Sequence, residues 1–221
     1  MNQHIKIAVL GGGGRTGQYL VNHLLEKGYS LKILLRNLPI SDESSDPFIL
    51  NLSNPLVEIV TGDAVCFDDI KRLLFDCQAI ISTVGQRPGE PMVASSATEN
   101  ILKAMNEYGI HRYILVAGIN IDTPFDKKGS QTKAATEWMK NTFPEIHTDR
   151  AKSYDLLTKS DVEWTLVRLP MIEYSDEILA AQASIVDCPG AGISTKNIAI
   201  FLEEQLSDKT YIRKAPFLYN I

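Results

Sequence analysis

The sequence predicts a doubly wound α/β protein: a mostly parallel sheet, helices on both faces, and a small cap at the carboxyl edge of the strands. Two observations carry this. Short β-rich runs are apolar nearly throughout, as strands covered on both faces must be. They alternate with longer segments whose apolar residues recur every three or four positions, so strand is followed by helix.

"IKIAVL" (5–10) is the first strand, and "GQYLVNHLLEKG" (17–28) the first helix, with Gly28 suited to its C-terminal cap. "LKILL" (31–35) follows as the second strand. The polar, proline-punctuated "NLPISDESSDPFILNLSNP" (37–55) is expected to be a long loop. "VEIVT" (57–61) and "FDDIKRLLFD" (67–76) form the next strand and helix. "AIISTV" (79–84) leads into "MVASSATENILKAMNEYG" (92–109), a helix ending at Gly109. "RYILVA" (112–117) and "WTLVRL" (164–169) are the fifth and sixth strands, with the helix "DRAKSYDLLTKSD" (149–161) before the sixth. The less regular stretch 171–192 is the expected cap, beside the strand ends where such folds bind ligands. A helix "TKNIAIFLEEQL" (195–206) and a strand "YIRKAPFLY" (211–219) close a single domain over residues 1–221.

A net charge of −5 and a pI near 5.4 leave no basic face for nucleic acid or an anionic membrane. The opening "MNQHIKIAVL" runs straight into a strand without a signal-peptide pattern, and no apolar stretch reaches bilayer length. Cys66, Cys77 and Cys188 are odd in number and far apart, which suggests neither a disulfide framework nor a zinc site. The expectation is a cytoplasmic monomer or small homo-oligomer that binds no metal, nucleic acid or membrane.

The chemistry sits in "AVLGGGGRTGQYL" (8–20), between the first strand and the first helix. Gly12, Gly14 and Gly17 satisfy G-x-G-x-x-G, and Gly11, Gly14 and Gly17 satisfy G-x-x-G-x-x-G. Unpaired N–H groups and the positive helix end at such a place favour a phosphate; the bland reading is a tight turn. A nucleotide-hydrolysing loop would need Lys after the last glycine, where Gln18 and Tyr19 stand. An NAD site or a methyltransferase wants an acid at the end of the second strand, which here ends in "LLRN". Arg36 there suits a 2′-phosphate, or is a solvated strand-end cation. NADP(H) is therefore preferred, with NAD(H) still open.

With "GGGGRTG", "LLRN", "VTGDA" and "STVGQR" in this order, the chain resembles the atypical short-chain dehydrogenase/reductases with a Rossmann fold. It is most similar to the NmrA-like NAD(P)-binding proteins and to flavin reductases of the biliverdin reductase B type. The resemblance implies that Gly11, Gly12, Gly13, Gly14, Arg15, Thr16 and Gly17 hold the pyrophosphate and Arg36 the 2′-phosphate. Asp63 and Ala64 would lie beside the adenine, unless Asp63 only caps a turn. Val84, Gly85, Gln86 and Arg87 would border the ribose and pyrophosphate, and Pro170 a turn near the nicotinamide. Lys152 would touch the ribose, or lie exposed on its helix.

The departures weigh as much. The resemblance calls for Y-x-x-x-K on one helix, yet Thr148 stands one turn before Lys152. The serine expected after the fifth strand is replaced by Ala117 and Gly118. A threonine hydroxyl does not act as a tuned phenolic acid, which argues against alcohol-dehydrogenase chemistry and leaves the catalytic residues unassigned. His147, read as preceding a helix, is a conceivable proton donor. Tyr154 and Tyr174 either line an acceptor pocket or pack, and Trp138 and Met139 are expected to bury a helix face. The leading expectation is an NADPH-dependent reductase of a planar small-molecule redox acceptor, such as a flavin or quinone. The alternative is an NADP(H)-binding regulator or sensor without turnover.

Overall fold

The computed structural model describes residues 5–37 and 54–221. The loop expected over 37–55 therefore lies for the most part outside the described residues. In chain order the elements begin β1 (Lys6–Leu10), α1 (Arg15–Glu26), β2 (Ser30–Leu35), β3 (Val57–Thr61), α2 (Phe67–Leu74) and β4 (Ala79–Ser82). They continue with α3 (Ala94–Tyr108), β5 (Arg112–Gly118), α4 (Ser130–Thr142), α5 (Pro144–Lys159) and β6 (Glu163–Leu169). The chain then forms β7 (Met171–Glu173), β8 (Ala181–Ser184), β9 (Gly192–Ser194), α6 (Thr195–Glu204) and β10 (Phe217–Asn220).

The main sheet runs β3-β2-β1-β4-β5-β6-β10-β8 and is parallel except where β8 lies antiparallel to β10. Because both faces are covered, successive residues of β1 serve two cores. Ile7 and Val9 pack with Leu20 and Leu24 of α1 and with Ile198 and Leu202 of α6. Ala8 and Leu10 pack with Ile70 of α2, Ile101 and Met105 of α3, and Leu157 of α5. This two-sided burial is why the strands read as unbroken apolar runs.

Several expectations change in detail. Part of 171–192 becomes the sheet's last strand, β8, while β7 pairs with β9 as a separate two-stranded ladder. Helix α5 starts at Pro144, five residues ahead of the start read from its apolar pattern, because proline serves well at a first helical position. His147 is consequently inside the helix and not before it. Asp149 explains how α5 is held: its carboxylate accepts the N–H groups of Ala94 (2.8 Å) and Ser95 (3.1 Å), capping α3 from another helix.

Candidate functional site

The strand order reverses between β1 and β4, since the chain builds outward first through β2 and β3 and then through β4, β5 and β6. Ligands of open α/β sheets bind at the carboxyl ends beside such a switch point. A cleft of about 970 Å³ lies there, bordered by the glycine loop, the segments after β4 and β5, helix α4 and the turn after β6. That volume stands at the upper end for ligand pockets and suits a ligand with a second molecule beside it.

The glycine loop shows what approaches it. Gly11 has a left-handed backbone (φ +85°), and a Cβ there would lie 2.7 Å from the Val84 nitrogen. A Cβ on Gly17 would come within 2.0 Å of the Gly11 carbonyl oxygen, so that glycine permits helix and loop to touch. Gly12 is buried toward Ile33, and Gly13 faces Leu35; neither borders the cleft. Gly11, Gly14, Arg15, Thr16 and Gly17 do border it. Among the described residues no side chain caps the start of α1, so its first N–H groups are left for an anion, which fits a dinucleotide pyrophosphate. The Arg15 guanidinium lies 4.2 Å over the Tyr174 ring.

Arg36, Asp63 and Ala64 stand outside the cleft lining, just beyond β2 and β3. Both terminal nitrogens of Arg36 donate to Glu90, at 2.5 and 2.9 Å. This pairing, with the Asp63 charge behind it, raises the pKa of a group already cationic. Asp63 Oδ1 accepts the Val65 N–H at 3.1 Å, the turn-forming role its residue type suggested. Ala64 is buried and its carbonyl accepts from Asn100.

After β4, Val84, Gly85, Gln86 and Arg87 all border the cleft. The carboxamide nitrogen of Gln86 holds its loop together through the carbonyls of Glu90 (2.8 Å) and Arg87 (3.0 Å). Its buried Oε1 has no partner among the described residues, as a waiting acceptor would. Arg150 was not read from the sequence. Its guanidinium donates to the carbonyls of Val84 (2.5 Å) and Val116 (3.4 Å), tying the ends of β4 and β5 together at the cleft floor. Burial pulls its pKa below the ordinary guanidinium value, with Tyr113 and Asp149 opposing.

Helical register corrects the reading of α5. Thr148 and Lys152 share its outer face, both exposed and neither bordering the cleft. The Thr148 hydroxyl donates to the Pro144 carbonyl at 2.8 Å. Arg150, two residues from each, faces inward because positions i and i+2 lie on opposite sides of a helix. Tyr154 is packed edge-to-face on Trp164, away from the cleft. Tyr174, Pro170 and Met171 do border it. Trp138 corrects a second expectation: it is 57% exposed and lines the cleft with Met139, while α4 buries Thr132 and Thr136 instead.

One end of the cleft is thus polar and rich in backbone donors, and the other is apolar and aromatic. Such a fold and site define a dinucleotide-binding α/β protein. The chain belongs to the NAD(P)H-binding family, whose model matches residues 11–209. It is similar to a chloroplastic protein of Arabidopsis thaliana of uncharacterized function, 25% identical over 170 residues, 74% of this chain and 58% of the relative. It is also similar to eugenol synthase 1 of Petunia hybrida, 28% identical over 86 residues, 39% of this chain and 28% of that enzyme. The chain thus spans only about a quarter to three-fifths of these relatives. Two solved structures share the fold. A short-chain dehydrogenase/reductase from Veillonella parvula in complex with NADP has a TM-score of 0.80 at 16% identity, covering 99% of this chain and 95% of its own. ChuY, an anaerobillin reductase from Escherichia coli O157:H7, has a TM-score of 0.76 at 17% identity, covering 97% of each chain. Among the described residues, no cluster of acidic, His or Cys side chains fits a metal ion, and no helix is long and apolar enough to cross a membrane.

Proposed function

We propose that this protein is an NADPH-dependent reductase of a planar, conjugated acceptor such as a quinone or flavin. The observation that carries the reading is the shape of the cleft just described. The uncapped start of α1 adjoins an aromatic wall of Trp138 and Tyr174, while Thr148 and Lys152 face solvent. When bound, the nicotinamide cofactor supplies a hydride, and with a proton from water the acceptor is reduced by two electrons. The chain's own part is orientation. Gly14, Arg15 and Thr16 would hold the pyrophosphate, Arg36 the 2′-phosphate, and Trp138, Met139 and Tyr174 would stack the acceptor over the ring. A stacked acceptor of this kind needs no tuned phenol, which is consistent with the missing tyrosine.

The same missing acid favours a second reading, an NADP(H)-binding sensor without turnover. One assay separates them: NADPH consumption by purified protein against flavins, quinones and ketones. Steady oxidation with a quinone or flavin supports the reductase. Tight NADPH binding with silence toward every acceptor establishes the sensor instead.

A further inference from the structure

Asn120 is only 2% exposed, yet it borders the acceptor end of the cleft. Its side-chain nitrogen lies 3.1 Å from His147 Nδ1. Its Oδ1 occupies the space a side chain at 118 would need, since a Cβ there would stand 2.5 Å from that oxygen. Glycine at 118, where a serine hydroxyl was expected, therefore makes room for a carboxamide reaching back over β5.

The turn carrying Asn120 is held unusually firmly. The Ile119 N–H donates to the Leu169 carbonyl at 3.2 Å. The Ile119 carbonyl accepts from Lys128 Nζ (2.8 Å), and the Ile121 carbonyl from Arg168 Nη1 (2.8 Å). Both cations are buried, their side chains 5% and 0% exposed, and they are balanced by Asp122 at 2.7 Å and Asp126 at 2.8 Å. Buried charges are costly unless paired. Here two of them are committed to the carbonyls on either side of one residue, which fixes where Asn120 points.

We propose that Asn120 is the hydrogen-bonding anchor of the electron acceptor, and that His147 is a positioning residue that sets which edge of the amide meets the cleft. The proposal rests on the reductase reading, and it deepens that reading by assigning the acceptor a carbonyl oxygen conjugated with its reducible ring. Neutral His147 with its proton on Nε2 accepts one N–H of Asn120 at Nδ1, leaving the second N–H of the same nitrogen for that oxygen. A protonated imidazole makes Nδ1 a donor, and the amide must turn over and present its oxygen instead. Groups facing His147 are Lys140 and Glu137 from α4, and Asp122 and Lys128 from the segment after β5. Burial, then Lys140, lowers the pKa of His147 below its ordinary 6.5, so the donor form holds at neutral pH.

The test uses NADP⁺-loaded protein titrated with menadione, followed by tryptophan fluorescence because Trp138 lines the cleft, together with NADPH oxidation by menadione. Asn120→Ala is expected to weaken menadione binding and kcat/KM about tenfold, with NADP⁺ affinity unchanged within about twofold. His147→Ala should lower both a few-fold and remove the loss of menadione affinity that wild type shows on acidification. Should Asn120→Ala not fold, the isosteric Asn120→Asp carries the same expectation, since a carboxylate offers no donor. Unchanged menadione binding and turnover in a folded Asn120 variant overturns the anchor and leaves the reductase standing. So does an equal loss of NADP⁺ affinity, which would mark a purely structural residue. Asn120-dependent menadione binding without NADPH oxidation retains the anchor and removes the reductase. A wild type that neither binds nor reduces menadione or FMN overturns both.

Discussion

The Arg36 guanidinium and the Glu90 carboxylate form a two-pronged pair between the end of β2 and the loop after β4, with N–O distances of 2.5 and 2.9 Å. A carboxylate held this way stands where a cofactor's 2′-phosphate would bind if Arg36 selects NADPH. The two anions then compete for one fork. Arg36→Ala is expected to weaken NADPH about tenfold, near 1.5 kcal/mol, the low end for charged hydrogen bonds because the fork is exposed. NADH affinity should barely move. Glu90→Gln should tighten NADPH by less than about fivefold, as exposed ion pairs contribute roughly 1 kcal/mol or less. Calorimetric titration with both cofactors decides it; equal losses for NADPH and NADH in the Arg36 variant would remove the assignment.

The glycine loop makes different predictions for Gly14 and Gly17. A Cβ on Gly14 meets only the Gly11 carbonyl, at 3.3 Å, whereas one on Gly17 falls 2.0 Å from the same atom. Gly14→Val should keep its circular dichroism yet lose NADPH binding, because the branched side chain stands over the start of α1. Gly17→Ala should lower the melting temperature by several degrees, since loop and helix must part. A Gly14→Val protein that binds NADPH normally would reduce these glycines to a chain turn.

Thr148 occupies the sequence position of the missing tyrosine, but its hydroxyl is spent on the Pro144 carbonyl at 2.8 Å and faces solvent. Thr148→Ala is therefore expected to change kcat with a quinone less than twofold, about 0.4 kcal/mol. Stopped-flow oxidation of bound NADPH measures this directly. A collapse of turnover would place the acid on that face of α5 after all.

His23 gives the protein an acid-sensitive stability. It is buried between α1 and α6, and burial, with Lys196 next, lowers its pKa below 6.5 against the pull of Glu203. The unfolded chain takes up this proton near pH 6.5, before the folded form does. Stability from this residue is thus complete above about pH 6.5 and falls as the pH drops through and below that value. Urea midpoints should decline between about pH 7 and pH 5, and His23→Leu should flatten the decline. An unchanged slope in the variant would assign the acid sensitivity to other groups, His147 first.

Much of the fold was legible because two-sided burial writes itself plainly into sequence. β3 coincides with its predicted run, and the other central strands shift by no more than two residues at either end. The glycine loop, likewise, announces its place between a strand and a helix. What could not be read depends on distant pairing. Nothing local to Ala181–Ser184 indicates that it joins β10 as an antiparallel edge. Arg150 and Asn120 were missed for a related reason. One is revealed only by the helical phase of α5, and the other only by a glycine two residues earlier and a histidine of that same helix.

The buried Arg168 also sets an order of events during synthesis. From β6 it reaches the Ala215 carbonyl at 2.9 Å and the Ile121 carbonyl at 2.8 Å, and its guanidinium lies 3.5 Å from the Phe217 ring centre. The glycine loop draws its contacts from β1, β2 and the segment after β4, but the helix it opens packs on α6, Thr195–Glu204. The turn that carries Asn120 lacks its full set of partners until residues 215–217 have left the ribosome. Both halves of one cleft thus wait on the end of translation, the glycine loop's helix for α6 and the Asn120 turn for residues 215–217.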